Sequence, residues 1–459
     1  MEKQYKKSLF IFRRDLRVED NTGLIAALHQ SERVIPCFIF DTRQIGNTNP
    51  YRSTNAIQFM IESLRDLEQQ IKKHHGQLYL FLGIAEKVID KLIQEEHIDA
   101  LFCNRDYTPF SIERDATIAK VCHAHSVAFN QHHDLLLTEP EEVMTNSNTP
   151  YAVFTAFYKK ALKKNIPAPC NAPHGTFYTK SISHAQPSGI YDTILKTSNK
   201  QAHVHGGTTH AHKIIKSIAQ LKNYNLTHDI PALNTSNLSA YLKFGCISVR
   251  SVYHAIKDTL GAHHPLLRQL YWRDFFSHVA YHSPFVFGKP YHEKYARLPW
   301  SKNMSHFDAW CQGKTGFPIV DAGMRQLNTT GFMHNRVRMI VASFLTKDLH
   351  INWLWGEKYF AQQLIDYDPM LNNGNWQWSA STGCDAQPYF RIFNPWLQQK
   401  KFDPDCVYIK RWIPELKNID NKIIHNWFDS DNQTIKQYPR PIINHKIEST
   451  LAKKMYKNI

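Results

Sequence analysis

Several features that define common protein classes are missing from this sequence of 459 residues. None of its eight cysteines stands in a C-x-x-C pair, which disfavours a zinc ribbon or a thioredoxin-like site. The first residues, MEKQYKK, lack the apolar core of a signal peptide. The longest apolar runs, such as LYLFLGIA at 78–85, are too short to span a membrane. We therefore expect a cytoplasmic protein with reduced thiols and no membrane partner.

Acidic residues are also scarce, since 40 Asp and Glu stand against 55 Lys and Arg, for a net charge of +15. Aromatic residues are plentiful, with 10 Trp, 21 Tyr and 26 Phe. Because cations bind phosphates and aromatic rings stack on bases, this composition suits a nucleic-acid partner. A generally basic surface that keeps the protein in solution would explain the charge equally well.

The first third of the chain alternates strand-like runs with amphipathic segments, which predicts a parallel sheet with helices on both faces. Strands are expected at 8–12, 33–40, 77–83, 99–104 and 127–131, and helices near 21–30, 54–75, 85–96 and 111–125. No G-x-G-x-x-G follows the first strand, so this α/β domain lacks the usual dinucleotide fingerprint.

The pattern then changes twice. Six prolines between 140 and 187 indicate a long connection with one helix near 152–164, and only helical segments follow residue 206. The predicted organisation is an α/β domain over 1–135, a connection over 136–205 and an all-α domain over 206–459. The histidine-rich stretch 203–212 lacks the acid or cysteine of a known ligand pattern, so we expect a solvated loop and no metal site.

Three later segments carry candidate functional residues. Thr235, Ser236 and Ser239 precede an apolar helical run and indicate either an anion site or an ordinary helix cap. In a predicted helix over 266–282, helical spacing places Gln269, Trp272 and Arg273 on one face, which could stack on a base and bind a phosphate. The alternative is a structural role, with Trp272 buried and Arg273 paired with an acid. Within 331–349, helical spacing places three side chains on one face, with Arg336 beside them: Asn335, Arg338 and Met339.

Arg338 lies on a partly apolar face and therefore needs a buried acid or a ligand. Asp366 or Asp368 could supply that acid. The densest segment is NNGNWQWSASTG at 372–383, where an Asn amide can bond the edge of a heterocycle and Trp376 and Trp378 diverge from a helix start. Several Trp in one helical domain are usually core residues; the sharper interpretation is a chain of indoles from a flavin to the surface.

Taken together, these segments resemble the photolyase/cryptochrome family over nearly the whole chain. The matching motifs are FIFRRDLRVEDN at 10–21, NRDYTPF at 104–110, TSNLSAYLKFG at 235–245, YWRDFF at 271–276, GKTGFPIVDAGMRQL at 313–327, MHNRVRMIVASFLTKDL at 333–349, NNGNWQWSASTG at 372–383 and PYFRIFNP at 388–395. MHNR followed by NNGNWQW is most similar to the class I cyclobutane pyrimidine dimer photolyases of bacteria.

The resemblance implies a Rossmann-like α/β domain followed by a helical domain that binds FAD. It implies a carbon–carbon lyase that repairs pyrimidine dimers in UV-damaged DNA under blue or near-UV light. In this family, excited anionic FADH− gives an electron to a dimer that has been flipped out of the duplex. A monomer is expected, and a second antenna chromophore is possible.

The resemblance also assigns roles to single residues. The FAD phosphates would be held by Tyr224, Thr235, Ser236, Leu238 and Ser239. Asn372 would lie near flavin N5, with Arg338, Asp366 and Asp368 along the ring edges. Trp272 and Trp378 would pack against the two thymines, and further contacts to the lesion or its backbone would come from Gln269, Arg273, Asn335, Arg336 and Met339. Trp376, Trp353 and Trp300 match the family's photoreduction chain.

Three departures from the family pattern matter. Gln269 stands where class I enzymes usually carry Glu. The (6-4) photolyases and animal cryptochromes also have Gln there, but they usually have a second His in place of Asn335. Asn237 replaces an Arg on the phosphate side. Phe110 and Ser111 replace the Asn-Glu pair of folate-binding enzymes, so a deazaflavin, another flavin or no antenna remain open.

Two kinds of alternative remain. Within the family, the chain could be a cryptochrome-like photoreceptor or a (6-4) or DASH-type photolyase; the short basic tail after the FAD domain favours an enzyme over a receptor. Outside it, a plain nucleic-acid-binding protein would explain the charge and the aromatic residues. It would not explain the Asn-Asn-Gly-x-Trp-x-Trp cluster.

Overall fold

The computed structural model describes residues 3–170, 174–429 and 437–459. Five strands within these ranges form one sheet: β1 (Tyr5–Phe12), β2 (Ser31–Asp41), β3 (Tyr79–Gly83), β4 (Ala100–Asn104) and β5 (Ala128–His132). Their order is β3-β2-β1-β4-β5, and every neighbouring pair is parallel. The predicted parallel sheet is confirmed, with each strand within a few residues of its expected place.

The inner strands of the sheet are buried, whereas the edge strand β5 is partly exposed. Leu9, Phe10, Ile11 and Phe12 of β1 are each at most 3% exposed, which explains why this strand is a continuous apolar run without alternation. The helices in sequence between the strands are Thr22–Gln30, Thr42–Ile45, Thr54–Lys73, Ala85–Glu96 and Pro109–Ala124. The strand order reverses between β1 and β4, and α/β proteins bind ligands beside the carboxyl ends of strands at such a switch point.

The sheet belongs to a compact unit of residues 1–198, 204–222 and 236–284, which we call the sheet unit. Its remaining α-helices are Phe154–Ala161, Ile190–Ile194, Thr208–Lys216, Ser239–Phe244, Val249–Leu260 and Pro265–His282. Buried ion pairs tie Val249–Leu260 into this unit, since Arg250 bonds Asp20 at 3.0 Å and Asp134 at 2.8 Å. Arg17 bonds the same Asp134 at 2.7 Å.

A second compact unit, the helical unit, comprises residues 199–203, 223–235 and 285–459. Its described α-helices are Tyr224–Thr227, Met304–Gln312, Pro318–Thr330, Asn335–Ser343, Trp353–Gln363, Pro369–Ala380, Pro395–Phe402, Val407–Trp412, Asn421–His425 and His445–Lys457. The prediction of an α/β part and a helical part is confirmed. The predicted domains 1–135 and 206–459 do not coincide with the two units, because 204–222 and 236–284 pack with the sheet.

Two local predictions are wrong. The stretch 203–212 is not a loop throughout, because the helix Thr208–Lys216 begins inside it, and Asp66 accepts bonds from the backbone N–H and hydroxyl of Thr208. The helix expected over 331–349 begins only at Asn335, after His334 accepts a bond from the Arg336 N–H, and widens into a π turn over Phe344–Asp348. Among the described residues, no helix has both the length and the apolar character to cross a bilayer.

Gly245 ends the helix Ser239–Phe244 in the left-handed conformation, with φ at +63°. A Cβ there would lie 2.1 Å from the carbonyl oxygen of Arg14 and 2.5 Å from Cα of Asp15. Gly245→Ala should therefore lower the free energy of unfolding by about 3 kcal/mol, from left-handed strain plus a backbone collision. Urea unfolding of the variant measures this loss.

The matched control is Gly189→Ala, where φ is −60° and no atom lies within 4 Å of the added Cβ. It should change stability by less than about 0.5 kcal/mol. Equal stability of the two variants would contradict the close approach at Gly245.

Candidate functional site

Arg338 and Asp366 form the ion pair that the sequence suggested for the helical unit. Arg338 Nη2 lies 2.9 Å from Asp366 Oδ2, and its Nε donates to the carbonyl of Met333 at 2.8 Å. The Arg338 side chain is 24% exposed and that of Asp366 only 5%. The pair thus presents a fixed, partly accessible guanidinium whose charge is balanced from the buried side.

Asp368 directly precedes the helix Pro369–Ala380, and Asn372 lies within its first turn. Asp368 caps it, because its Oδ1 accepts bonds from the Met370 and Leu371 N–H groups at 3.0 and 3.3 Å. Such a cap stabilises a helix by about 1 kcal/mol. The helix therefore begins at Pro369, and Trp376 and Trp378 lie in its second half, not at its start.

Buried amides fix the rotation of this helix. Asn373 donates to the carbonyl of Val286 at 2.9 Å, and Gln377 bonds Val286 and Lys289 at 3.2 Å. Asn372 is 9% exposed and donates to the carbonyl of Glu357 at 2.9 Å. Because one edge of the Asn372 amide is held in this way, its orientation is set before any ligand arrives.

The carboxyl group of Glu357 is a feature that the sequence did not reveal. Glu357 is 4% exposed, and burial raises its pKa to about 7, partly offset by a hydrogen bond with Asn372. Near neutral pH this acid is therefore poised between its neutral and charged forms, beside one of the predicted flavin contacts.

The three indoles predicted for photoreduction differ in burial. Trp376 and Trp353 are each 2% exposed, whereas Trp300 is half-buried. Among the described residues, Trp376 makes ring contacts with Phe360 at 5.0 Å and Trp310 at 6.1 Å, while Trp300 meets Tyr456 at 6.3 Å. The burial gradient suits a path to the surface, and the order of the path stays a prediction.

The helix Asn335–Ser343 carries the predicted lesion contacts of the helical unit. Asn335 is exposed and its Nδ2 lies 3.8 Å from Met339 Sδ, so these two side chains share a face as expected. Arg336 bonds Asp229 at 2.7 Å and lies over the Phe402 ring at 4.5 Å. Trp378, on its own helix, is half-buried.

In the sheet unit, three predicted lesion contacts lie on the helix Pro265–His282 and differ in their exposure to solvent. Gln269 is exposed and Trp272 is half-buried. Arg273 is only 8% exposed and donates to the carbonyls of Leu135 at 2.7 Å and Leu242 at 3.5 Å. This placement disfavours the expected contact of Arg273 with DNA, because its guanidinium is already bound to backbone oxygens.

The predicted phosphate contacts fall in both units. In the helical unit, Tyr224 is 9% exposed and stacks on His228 at 5.0 Å, and burial raises its pKa to about 12; Thr235 is half-buried. In the sheet unit, Ser236 is half-buried, Leu238 is buried and Ser239 is exposed at the start of its helix.

Asn237 explains one departure from the family pattern. Its φ is +53°, in the left-handed region that Asn tolerates better than most residues. A side chain with local hydrogen-bonding ability therefore suits this bend between Ser236 and Leu238, where the family usually has Arg.

The polar groups of the helical unit fit a flavin. A planar heterocycle needs in-plane donors and a counter-charge along its edge, and the paired guanidinium of Arg338 with the oriented amide of Asn372 supplies both. In the described ranges, no three His, Cys, Asp or Glu side chains lie close enough together to hold a metal ion.

Comparison with known proteins agrees with this chemistry. Residues 8–174 match the model of the DNA photolyase domain, and residues 266–458 match that of the FAD binding domain of DNA photolyase. A curated relative from Alkalihalophilus pseudofirmus, a deoxyribodipyrimidine photo-lyase, is 36% identical over 97% of both chains. The chain belongs to the DNA photolyase family. It is therefore an FAD-dependent flavoprotein of DNA repair, and the family resemblance is confirmed.

Two solved photolyase-family structures share the whole fold. An archaeal photolyase from Sulfolobus tokodaii, solved with two FAD molecules, has a TM-score of 0.90 and 43% identity, over 99% of this chain and 100% of that one. A cryptochrome from Synechocystis has the same TM-score with 28% identity, over 99% of this chain and 100% of that one.

Glu357→Gln tests the raised pKa of the Glu357 carboxyl group. A protein that buries a neutral carboxyl group loses stability as the pH rises from the pKa of that group in the unfolded chain, near 4.5, through its pKa in the folded chain, about 7. The reason is that only the unfolded state releases the proton easily. The variant should match the wild type near pH 5 and be more stable by about 3 kcal/mol above pH 8.

Urea unfolding at several pH values measures this difference. Glu113→Gln, at an exposed position of the helix Pro109–Ala124, controls for the loss of one acidic residue. A constant difference between Glu357→Gln and wild type across the pH range would contradict a buried, titrating carboxyl.

Proposed function

We propose that this chain splits cyclobutane pyrimidine dimers in DNA under blue or near-UV light. The observation that carries the proposal is the helix Asn335–Ser343. Its Arg338 is paired with Asp366, a pair that we assign to a flavin edge, while the exposed Asn335 contacts the half-buried Met339 on a face suited to a lesion. The name of the Alkalihalophilus relative supports the same lesion.

When bound, reduced FAD supplies the electron that opens the cyclobutane ring. The residues of the chain bind and orient the reactants. Arg338, held by Asp366, would balance the negative charge along the edge of a bound reduced flavin. Asn372, held by the carbonyl of Glu357, offers a neutral amide that neither donates nor removes a proton.

The lesion is bound outside the base stack, which calls for aromatic surfaces. We assign this role to the half-buried Trp272 and Trp378. Gln269 can donate an N–H to a thymine carbonyl but cannot protonate it, unlike the Glu usual at this position. Arg336 is held by Asp229 and acts as a weaker contact to the DNA backbone than a free Arg would.

Trp376, Trp353 and Trp300 are proposed as the route by which an oxidised flavin is reduced again. Trp376 and Trp353 are equally buried and Trp300 is half-buried, so Trp300 suits the end of the route that faces the solvent. We further propose that Ser236, Leu238, Ser239, Tyr224 and Thr235 hold the FAD phosphates, and that the enzyme acts as a monomer in the cytoplasm.

The chemistry at position 335 separates this proposal from (6-4) repair. Asn335 cannot act as a general acid near neutral pH, whereas the His usual there in (6-4) photolyases can. We expect purified protein with reduced flavin to restore thymines from a cyclobutane dimer in an oligonucleotide under blue light, and to leave a (6-4) lesion unchanged. Chromatography of the digested oligonucleotide measures both products.

A dark sample of the same mixture is the control and should show no repair. Repair of the (6-4) lesion alone would favour that second enzyme class. Intact lesions of both kinds under light, with the flavin fully reduced, would overturn the enzyme proposal and favour a photoreceptor.

A second chromophore has support in the sheet unit. Arg13 follows β1, and Arg114 lies on the helix after β4, so both are near the switch point of the sheet. Asp115 bonds both of them, at 2.8 and 3.0 Å, yet one Nη2 of each guanidinium is buried without a hydrogen-bond partner. Buried donors left in this way point to an acceptor on a ligand.

We therefore propose that a second flavin binds at this switch point, as the two FAD molecules of the Sulfolobus tokodaii structure suggest. Phe110 is consistent with a flat ligand, since its ring lies 5.1 Å from the Arg43 guanidinium and 5.9 Å from that of Arg114. Ser111 instead bonds Thr108 at the start of its helix and is 1% exposed, which disfavours a folate contact there.

Arg114→Met should lower the flavin content from two per chain to one, because it removes a buried donor and keeps the apolar volume. Absorbance of flavin released from a known amount of denatured protein measures the ratio. Lys120→Met changes an exposed position of the same helix and should keep two flavins per chain. One flavin in the wild type, or two in Arg114→Met, would contradict this site.

A further inference from the structure

Trp272 is stacked on another aromatic side chain of the sheet unit. Its ring lies parallel to that of Phe154, with the ring centroids 3.6 Å apart and the planes 5° from each other. Phe154 begins the helix Phe154–Ala161 and is fully buried, whereas Trp272 remains half-buried. One face of the indole is therefore covered at van der Waals distance.

Neighbouring rings fix the indole further. The ring centroid of Phe276 lies 5.6 Å from that of Trp272, with 27° between the ring planes. Phe275 meets the indole edge-on, with the centroids 5.7 Å apart and 82° between the planes. The exposed Arg268, one turn earlier on the same helix, places its guanidinium 5.2 Å from the centre of the Phe154 ring. A cation thus stands beside an aromatic set whose rings pack on one another through contacts within the chain itself.

A surface indole without such support has several rotamers, and ordering it on binding costs affinity. An indole that is already stacked on one side offers its remaining surface to a base at little entropic cost. A single base can then be accepted, because the covered face is closed to intercalation. This arrangement suits a flipped base and gives no advantage with stacked, undamaged duplex.

We propose that Phe154 is a positioning residue for lesion recognition, which holds Trp272 ready to stack on a pyrimidine of the dimer. This role rests on the proposed function. It places a residue of the stretch 136–205, which the sequence predicted to be only a connection, in support of the lesion site.

The test is binding of holoenzyme, in the dark, to oligonucleotide duplexes with and without one cyclobutane thymine dimer. Phe154→Leu should weaken binding to the dimer duplex about tenfold, in the range of one stacked base, and change binding to the undamaged duplex less than twofold. Phe154→Tyr, which keeps the ring, should restore the preference. Phe154→Met replaces Phe154→Leu, with the same expectation, if the Leu variant does not fold.

Phe157→Leu is the matched control. Phe157 lies on the same helix, is 1% exposed and packs against Phe275 at 5.5 Å and His278 at 4.9 Å. The control should lower the melting temperature about as much as Phe154→Leu and keep the preference for the dimer. In a Trp272→Ala background, Phe154→Leu should have no further effect on the preference, since it acts through the indole.

Each outcome decides the matter. A preference retained in Phe154→Leu, or lost equally in Phe157→Leu, overturns the positioning role while the proposed function stands. A wild type that binds both duplexes equally in the dark, yet repairs the dimer in light, also overturns the role. A wild type that neither prefers nor repairs the dimer overturns the proposed function itself.

Discussion

Buried guanidinium groups must be surrounded by acids and hydrogen-bond acceptors, and the structure provides these partners from distant parts of the chain. A charge taken out of water is costly unless oppositely charged and hydrogen-bonding partners surround it. In the sheet unit, Arg17 and Arg250 share Asp134, and Arg250 also bonds Asp20, all at 3.0 Å or less. Burial alone would raise the pKa of Asp134, but the two guanidinium groups outweigh that effect and lower it. The loops after β1 and β5 and the helix Val249–Leu260 are held together in this way.

The same rule identifies where ligands belong. Arg338 is balanced by Asp366 yet remains partly accessible, so it can meet a second, negatively charged group without leaving its partner. Arg13 and Arg114 each keep one buried donor unbonded, which is costly unless a ligand accepts from it. Arg273, by contrast, is bonded to backbone carbonyls and has a structural role. A guanidinium that keeps an accessible edge or an unbonded donor is therefore assigned to a cofactor, and one whose donors are bonded to the backbone is assigned to packing.

Much of the fold follows from local sequence, and the exceptions have physical reasons. The strands could be predicted because a sheet covered on both faces needs continuous apolar runs, but their order depends on contacts distant in sequence. The partners Arg338 and Asp366 could be anticipated from an Arg on an apolar face. Helical spacing shows which residues share a face but not what covers that face, so the burial of Arg273 could not be anticipated. Glu357 and Phe154 belong to no motif, and only tertiary packing brings them to Asn372 and Trp272.

Light absorbed by flavin should drive the repair of the dimer. An action spectrum shows whether it does, with the rate of dimer splitting per incident photon measured from the near-UV to the red. We predict that the spectrum follows the absorbance of reduced flavin in the near-UV and blue, with an added blue band if a second flavin transfers its excitation, and falls to zero in red light. Repair at the same rate in red light or in darkness would contradict the account.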